Sequence, residues 1–174
     1  MDKKTCLLVL DMLRDFIEPN GKLYCGETAR EIVPRVKKLI ERFRREKQTV
    51  IYVCDAHIEN DPEFRMFPPH AVGGTPGAEV IPELAPQPGD VVLKKRRYDA
   101  FYGTELDTIL KSERFDEVHV TGVCTSICVM ETVQELANRE IPSVVYADAV
   151  ADFDAEEHQH ALKRMKRLFG ARIV

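Results

Sequence analysis

Residues suited to nucleophilic catalysis follow three separate apolar runs of the chain. Asp11 comes directly after the first run, Lys95 follows the third, and Cys128 lies shortly after the fourth. A cysteine thiolate is a strong nucleophile, a carboxylate can accept its proton, and an ammonium group stabilises the thiolate charge. Cys128 also begins a predicted helix, whose N-terminus is expected to lower the pKa of the thiol. Taken singly, a cysteine is more often a packing residue and one lysine of a basic run is more often a surface group, while Asp11 could equally be a helix cap or part of a loop salt bridge.

A second set of residues has the chemistry of a metal site. Asp55 and His57 follow the second apolar run, and Glu63 lies seven residues before His70. Carboxylate and imidazole ligands suit zinc, iron or manganese better than a thiolate site would. Loops often carry exposed histidine and glutamate, so the spacing alone leaves metal binding and a plain solvated loop equally open.

Apolar runs of strand length alternate with helical patterns, and together they predict the scaffold. The runs are apolar on both faces, as a parallel sheet covered by helices requires. Five strands and a short sixth are predicted at residues 6–10, 49–53, 91–93, 118–123, 143–146 and 172–174. Helical spacing predicts helices near residues 32–43, 106–110, 129–137 and 162–169. The predicted fold class is therefore α/β, a doubly wound, mostly parallel sheet of five to six strands flanked by helices on both faces.

The carboxyl ends of parallel strands form the edge at which open α/β sheets bind ligands. The candidate catalytic and metal-binding residues all follow such ends, so the sequence predicts that they converge on one site. The proline-rich segment 56–90 fits neither a strand nor a helix pattern. A loop of this length in a compact domain is usually functional, and this one carries His57, Glu63 and His70.

Composition and charge exclude several other classes of protein. The chain has 174 residues, 44% of them hydrophobic, which predicts a single folded domain over residues 1–174. Its net charge of −4 and its lack of a basic tail argue against a nucleic-acid partner. No apolar run approaches the roughly 18 residues of a membrane span. An odd number of cysteines, five, without a signal-peptide pattern predicts a cytoplasmic protein with no disulfide framework.

Three motifs resemble those of the isochorismatase-like cysteine hydrolases. That family carries an aspartate after the first strand, then Lys-x-x-Tyr-x-x-Phe, then Gly-Val-x-Thr-x-x-Cys before a helix. The chain has, in the same order, Leu-Val-Leu-Asp11, Lys95-Arg-Arg-Tyr98-Asp-Ala-Phe and Gly-Val-Cys-Thr-Ser-Ile-Cys128. The resemblance covers nearly the whole chain and implies a catalytic triad of Asp11, Lys95 and Cys128. Lys94 competes for the lysine position, and the three-residue step to Tyr98 selects Lys95.

The proline-rich segment narrows the resemblance to the nicotinamidase branch of the family. Nicotinamidases have Asp-x-His and then Pro-Pro-His, and some add a glutamate ahead of the second histidine. The matching residues are Asp55, His57, Glu63 and His70. The resemblance implies that they bind one divalent metal ion, with zinc as first choice and iron or manganese as alternatives.

The same resemblance implies how a pyridine carboxamide would bind. Phe16 and Tyr98 would flank the ring by stacking, and the ring nitrogen would face the metal. Family members have a cis peptide in the Gly-Val-x-Thr stretch, which corresponds to Val123–Cys124. The backbone N–H groups of Cys124 and Cys128 would then form the oxyanion hole.

Nicotinamide is accordingly the expected substrate, hydrolysed through a cysteine thioester to nicotinate and ammonia in NAD salvage. One alternative is a relative acting on another small amide, a carbamoyl compound or isochorismate. Two others are a non-catalytic module with Cys128 as a redox-responsive thiol, and a plain metal-binding protein. Asp99, where relatives often have serine, is expected near the pocket mouth and would disfavour anionic substrates. Exposed apolar loop residues would allow a homo-oligomer; they are Phe64, Met66 and Phe67.

Overall fold

A computed structural model describes residues 3–174 and contains a six-stranded sheet. The strands are β1 (Thr5–Leu10), β2 (Thr49–Asp55), β3 (Val91–Lys95), β4 (Glu117–Val123), β5 (Ser143–Ala151) and β6 (Arg172–Ile173). Their order is β3-β2-β1-β4-β5-β6, and every neighbouring pair is parallel. The predicted α/β fold class and all six predicted strands are confirmed.

Helices connect the strands. They are α1 (Arg14–Ile17), α2 (Glu27–Glu31), α3 (Val33–Arg45), α4 (Leu106–Glu113), α5 (Met130–Asn138) and α6 (Ala155–Leu168). The apolar stripe of α3 is buried while its Lys and Arg side face solvent, which is why the 3.6-residue spacing predicted this helix. α6 begins where the Asp154 carboxylate accepts the N–H groups of Glu156 and Glu157. The two shortest helices, α1 and α2, were not predicted, since one turn carries no periodic signal.

The two faces of the sheet bury separate apolar cores. Leu7 and Val9 of β1 pack on the face covered by α3, whereas Cys6, Leu8 and Leu10 pack on the face covered by α4, α5 and α6. All five side chains are fully buried, so the strand is apolar throughout rather than alternating. The helices therefore lie on both faces, as predicted.

The strand order places a topological switch point between β1 and β4. From β1 the chain proceeds to β2 and β3 on one side, and from β4 to β5 and β6 on the other. Loops leaving β1 and β4 therefore diverge and open a crevice at their carboxyl ends. Gly122 near the end of β4 has φ 114°, and a Cβ there would lie 2.0 Å from the Leu10 carbonyl oxygen. Only glycine allows the two strands to approach this closely beside the crevice.

The proline-rich segment folds back over this crevice as a series of short 3₁₀ turns, Pro62–Arg65, Pro76–Ala78 and Pro82–Leu84. The buried carboxylate of Asp15 in α1 anchors it by accepting the Ala71 N–H at 2.8 Å. Among the loop residues predicted to be exposed, only Met66 is, at 65%. That prediction is wrong for Phe64 and Phe67, which are half-buried because their rings pack edge-on against a histidine of the segment. No helix in the described residues is both long enough and apolar enough to cross a membrane.

Candidate active site

Asp11, Lys95 and Cys128 meet at the carboxyl edge of the sheet. Lys95, the last residue of β3, is 1% exposed, and its Nζ lies 2.9 Å from Asp11 Oδ2. The same ammonium lies 3.5 Å from Cys128 Sγ and 2.5 Å from Asp55 Oδ1. One buried cation thus contacts two carboxylates and the candidate nucleophile. Lys94, the neighbour that competed in the sequence, is exposed.

The backbone conformation of Asp11 directs its carboxyl group toward the other site residues. Its φ is 53°, in the left-handed region that a non-glycine residue occupies rarely and mainly at functional positions. Oδ1 accepts the N–H of Asp55 at 2.8 Å, so the side chain is fixed across the neighbouring strand. Oδ2 is left to face Lys95.

The electrostatics differ from the expectation of a thiolate at rest. Burial raises the pKa of Cys128 well above its ordinary value; Lys95 lowers it, but the charges of Asp11 and Asp55 raise it further. The predicted lowering of this pKa is therefore wrong, because burial and the two neighbouring carboxylates outweigh the charge of Lys95. Burial and the Asp55 charge also raise the pKa of Asp11 to about 6, against the opposing effect of Lys95. The resting site holds a neutral thiol beside a carboxyl group basic enough to accept its proton.

Cys128 lies in a π-helical turn, Thr125–Val129, that directly precedes α5. The Cys124 carbonyl accepts the N–H groups of Ile127 and Val129, both at 3.1 Å, which closes the turn. The Val123–Cys124 peptide is cis, as the resemblance implied.

Two residues from the β5–α6 region hold this turn from outside. The buried carboxylate of Asp152 accepts the Ser126 N–H at 2.6 Å, and His158 Nδ1 lies 2.8 Å from Thr125 Oγ1. The sequence analysis missed Asp152, since it belongs to none of the motifs. His158 also belongs to none of the motifs, and it is half-buried because the start of α6 packs on the turn.

The candidate metal ligands also converge. Asp55, His57 and His70 each offer an atom within 4.8 Å of the other two, and all three are buried. Glu63 Oε1 completes the group at 3.8 Å from His57 Nε2 and 4.0 Å from His70 Nε2. His70 Nδ1 lies 2.8 Å from the Pro68 carbonyl, which leaves Nε2 directed at the cluster.

The buried imidazole of His57 shows that this cluster fits a cation. Neither ring nitrogen has a hydrogen-bond partner within residues 3–174, and Nε2 lies 3.6 Å from Asp55 Oδ2 and 3.8 Å from Glu63 Oε1. An orphaned imidazole nitrogen among carboxylates is costly unless a cation joins them. The donor set of two imidazoles and two carboxylates suits zinc, iron or manganese.

A cavity connects the two clusters. Cys128 lines it together with Glu63 and His70, and so do the two predicted substrate-binding residues, Phe16 and Tyr98. Its remaining walls are largely apolar, with Leu23, Phe67, Ile127 and Phe153. A flat aromatic ligand fits such walls, and one end of it would face the thiol while another part faces the ligand cluster.

Asp99, where relatives often have serine, does not reach the cavity, whereas Cys124 does. Asp99 was expected near the pocket mouth, but its Oδ1 accepts the N–H groups of Phe101 and Tyr102, at 2.8 and 2.9 Å, and does not line the cavity. Its carboxylate therefore stabilises its own turn. Cys124 does line the cavity, and its Sγ lies 3.4 Å from Cys25 Sγ.

Fold, triad geometry and ligand cluster together define a hydrolase of the isochorismatase family. The chain matches the isochorismatase domain family over residues 5–173 and belongs to that family.

Solved structures show the same relationship. The chain is 35% identical to nicotinamidase PncA from Bacillus subtilis, with 98% of this chain and 99% of that chain covered and a TM-score of 0.94. N-carbamoylsarcosine amidase from Thermoplasma acidophilum is 38% identical, covers 98% and 95% of the two chains and gives a TM-score of 0.89. Pyrazinamidase of Pyrococcus horikoshii, in complex with zinc, is 31% identical, covers 98% of each chain and gives a TM-score of 0.92.

Proposed function

We propose that this hydrolase is a nicotinamidase, which converts nicotinamide to nicotinate and ammonia. One observation supports the proposal most strongly: a buried cysteine nucleophile and a carboxylate–imidazole cluster line the same aromatic cavity. The first would attack a carboxamide, and the second suits the ring nitrogen of a pyridine through a bound cation. Similarity to nicotinamidases and pyrazinamidases supports the same substrate class.

The triad residues have distinct proposed roles. Asp11 takes the proton of the Cys128 thiol as Sγ attacks the carboxamide carbon, and Lys95 stabilises the developing thiolate. The oxyanion rests on the backbone N–H groups of Cys124 and Cys128. Asp11 then returns its proton to the departing amine, which leaves as ammonia. Water hydrolyses the remaining thioester and releases nicotinate.

Asp55, His57, Glu63 and His70 would hold the divalent metal. Bound there, the ion supplies a Lewis acid for the pyridine nitrogen, and zinc is the proposed identity. Phe16 and Tyr98 orient the ring by stacking, so that the carboxamide lies over Cys128. In this proposal, the residues that hold the ring are separate from Cys128, which reacts with the carboxamide.

The 38% sequence identity with N-carbamoylsarcosine amidase favours a second candidate function, hydrolysis of a carbamoyl compound. Such a substrate carries a carboxylate, and burying it requires a cationic partner. The described residues that line the cavity include neither lysine nor arginine. Neutral aromatic amides therefore rank first, and carbamoyl acids second.

We place the reaction in NAD salvage in the cytoplasm, carried out by one domain over residues 1–174. All five cysteines are free thiols, and Cys25 and Cys124 stay unbridged although their sulfurs are 3.4 Å apart. Close unbridged thiols suit a reducing compartment.

The test is ammonia release from nicotinamide and, in parallel, from N-carbamoylsarcosine. We expect nicotinamide to be the better substrate, activity to fall on chelation, and added zinc to restore it. Cys128→Ala should reduce kcat by about 10⁴-fold or more while the protein stays folded, because the nucleophile is gone. Cys6→Ala is the matched control, because this thiol is also buried but lies at the amino end of β1, away from the carboxyl edge that carries the site. This variant should remain active. Faster turnover of the carbamoyl acid would replace the first candidate by the second.

A further inference from the structure

Asp61 lies in the loop between β2 and β3, where its side chain contacts both the metal cluster and the segment after β3. Its side chain is completely buried, yet it belongs to neither the triad nor the ligand set. Oδ1 accepts the Glu63 N–H at 3.1 Å and Arg97 Nη1 at 3.0 Å. Oδ2 accepts Arg96 Nη2 at 3.1 Å and lies 3.3 Å from His57 Nδ1.

We propose that Asp61 is a positioning residue that sets the ring nitrogen with which His57 binds the metal and ties the Tyr98 segment to the metal loop. This inference rests on the proposed metal-dependent function and extends it to a residue outside the ligand set. It follows from the contacts alone, since one carboxylate touches a segment on each side of the cavity.

The contact between Asp61 and His57 bears on the tautomer of the imidazole. His57 Nδ1 lies 3.3 Å from Asp61 Oδ2, although the two atoms are not aligned as a hydrogen bond. Because a carboxylate only accepts hydrogen bonds, its charge at this distance favours the tautomer with the ring proton on Nδ1. Nε2 then has a free lone pair, and it is the atom that points at Asp55 and Glu63. A second carboxylate behind a ligating imidazole fixes the ring orientation in the same way in many metal sites.

The contacts of Asp61 with Arg96 and Arg97 bear on the aromatic wall of the cavity. Arg96 and Arg97 stand between Lys95, which contacts the nucleophile, and Tyr98, which lines the cavity. Both guanidinium groups bind the buried carboxylate of Asp61, with side chains 44% and 33% exposed. The Tyr98 segment is therefore fastened to the loop that carries His57 and Glu63, and a change at Asp61 should disturb both ring binding and metal binding.

The decisive variant is Asp61→Asn, which keeps the shape of the side chain but removes its charge and replaces one acceptor oxygen by an NH₂ donor. In either orientation, the amide NH₂ of asparagine faces groups that donate, on one side Glu63 N–H and Arg97, on the other Arg96 and His57. Where the NH₂ group faces His57, it donates to an unprotonated Nδ1. The ring proton then sits on Nε2, which can no longer bind the metal. Asp107→Asn is the matched control, because Asp107 also binds an arginine and a lysine but lies on α4.

The measurement is zinc affinity of the metal-stripped full chain, by competition with a chromophoric chelator, together with kcat and KM for nicotinamide at saturating zinc. We expect Asp61→Asn to weaken zinc binding about 10- to 100-fold and to raise KM, with Asp107→Asn unchanged. Asp61→Ser serves as a second variant: serine can still cap the Pro62–Arg65 turn but is too short for the arginines and His57. If the aspartate is only a cap, this variant binds zinc as the wild type does.

The outcomes separate this inference from the proposed function. Folded Asp61→Asn or Asp61→Ser with wild-type zinc affinity would overturn the inference and leave the nicotinamidase proposal standing. Wild-type protein without zinc affinity would overturn both the inference and the metal-dependent site. Wild-type zinc binding that weakens in Asp61→Asn, without ammonia release from nicotinamide, would support the inference and reject the substrate.

Discussion

The sheet carries a buried polar cluster near each end of its strands, and the two clusters differ in how their charges are matched. At the amino end, His119 Nε2 lies 3.2 Å from Glu117 Oε1, and its Nδ1 lies 2.8 Å from the Tyr146 hydroxyl. Glu117 also accepts a hydrogen bond from Arg172, whose side chain is 58% exposed. At the carboxyl end, by contrast, the buried ammonium of Lys95 serves two carboxylates and a thiol.

This difference shows which cluster stabilises the fold and which is arranged for chemistry. The amino-end groups each face a partner of complementary chemistry, and the Glu117 carboxylate is paired with the solvent-exposed guanidinium of Arg172. The carboxyl-end carboxylates compete for one cation, so the pKa of Asp11 rises to about 6 through burial and the neighbouring Asp55 charge. Perturbed groups of this kind are typical of active sites and would be a poor choice for stability alone.

Removing the cation at the carboxyl end is expected to have the largest effect. Lys95→Met leaves two buried carboxylates unpaired and should lower the free energy of unfolding by about 3–5 kcal/mol, besides abolishing turnover. Arg172→Met at the amino end removes an exposed cation and should cost about 1 kcal/mol or less. Urea unfolding of both variants measures the contrast, and equal losses would show that the two ends are energetically alike.

The backbone at the carboxyl end gives the next largest contrast. In Gly122→Ala, the new Cβ would meet the Leu10 carbonyl at 2.0 Å, so we expect a loss of about 3 kcal/mol. Gly170→Ala, after α6, also falls on a positive φ of 67° but has nothing within 4 Å of its Cβ. It should lose only about 1 kcal/mol. Thermal unfolding of the two variants would contradict the close-approach argument if both melt at the same temperature.

The smallest expected effect is the pH response of the amino end. Burial lowers the pKa of His119 from 6.5 to about 4; Arg42 and Arg172 lower it too, and Glu117 opposes them. The unfolded chain therefore takes up the proton first as the pH falls. Stability from neutral His119 is complete above about pH 6.5 and is lost toward pH 4, by about 2 kcal/mol between about pH 7 and about pH 5.

The matched variant for this pH response is His119→Gln, which cannot titrate. Urea unfolding at both pH values should show a smaller loss for the variant than for the wild type. Losses of the same size would mean that other groups, not His119, cause the acid sensitivity.

Sequence patterns could predict most of the fold because the strands are apolar on both faces and α3 is strongly amphipathic. They also brought together Asp11, Lys95 and Cys128, because motifs at strand ends must converge in a parallel sheet. The roles of the site residues stay predictions, as do the metal identity, the homo-oligomer and the absence of a nucleic-acid partner.

Other features depend on tertiary contacts that no local pattern carries. Asp61 and Asp152 act through partners elsewhere in the chain, on Arg96 and Ser126 respectively. The pKa of Cys128 depends on burial among carboxylates that are distant in sequence, and so the helix-terminus rule gave the wrong sign. Phe64 and Phe67 looked exposed because the sequence does not show which loop rings pack on a histidine.

The strand order also governs when the sheet can form during synthesis. Of the six strands, β1 leaves the ribosome before the other five, and its residues after Thr5 are all apolar and buried. It nevertheless lies in the interior of the sheet with β2 and β4 as neighbours. One side pairs once β2 emerges, whereas the other waits for β4, where Thr5 meets Glu117. Until then the nascent chain exposes an unpaired Leu-Leu-Val-Leu edge, which is a target for chaperones and for aggregation. Ribosome-bound chains that end before residue 117 should accordingly be the species most dependent on chaperone capture.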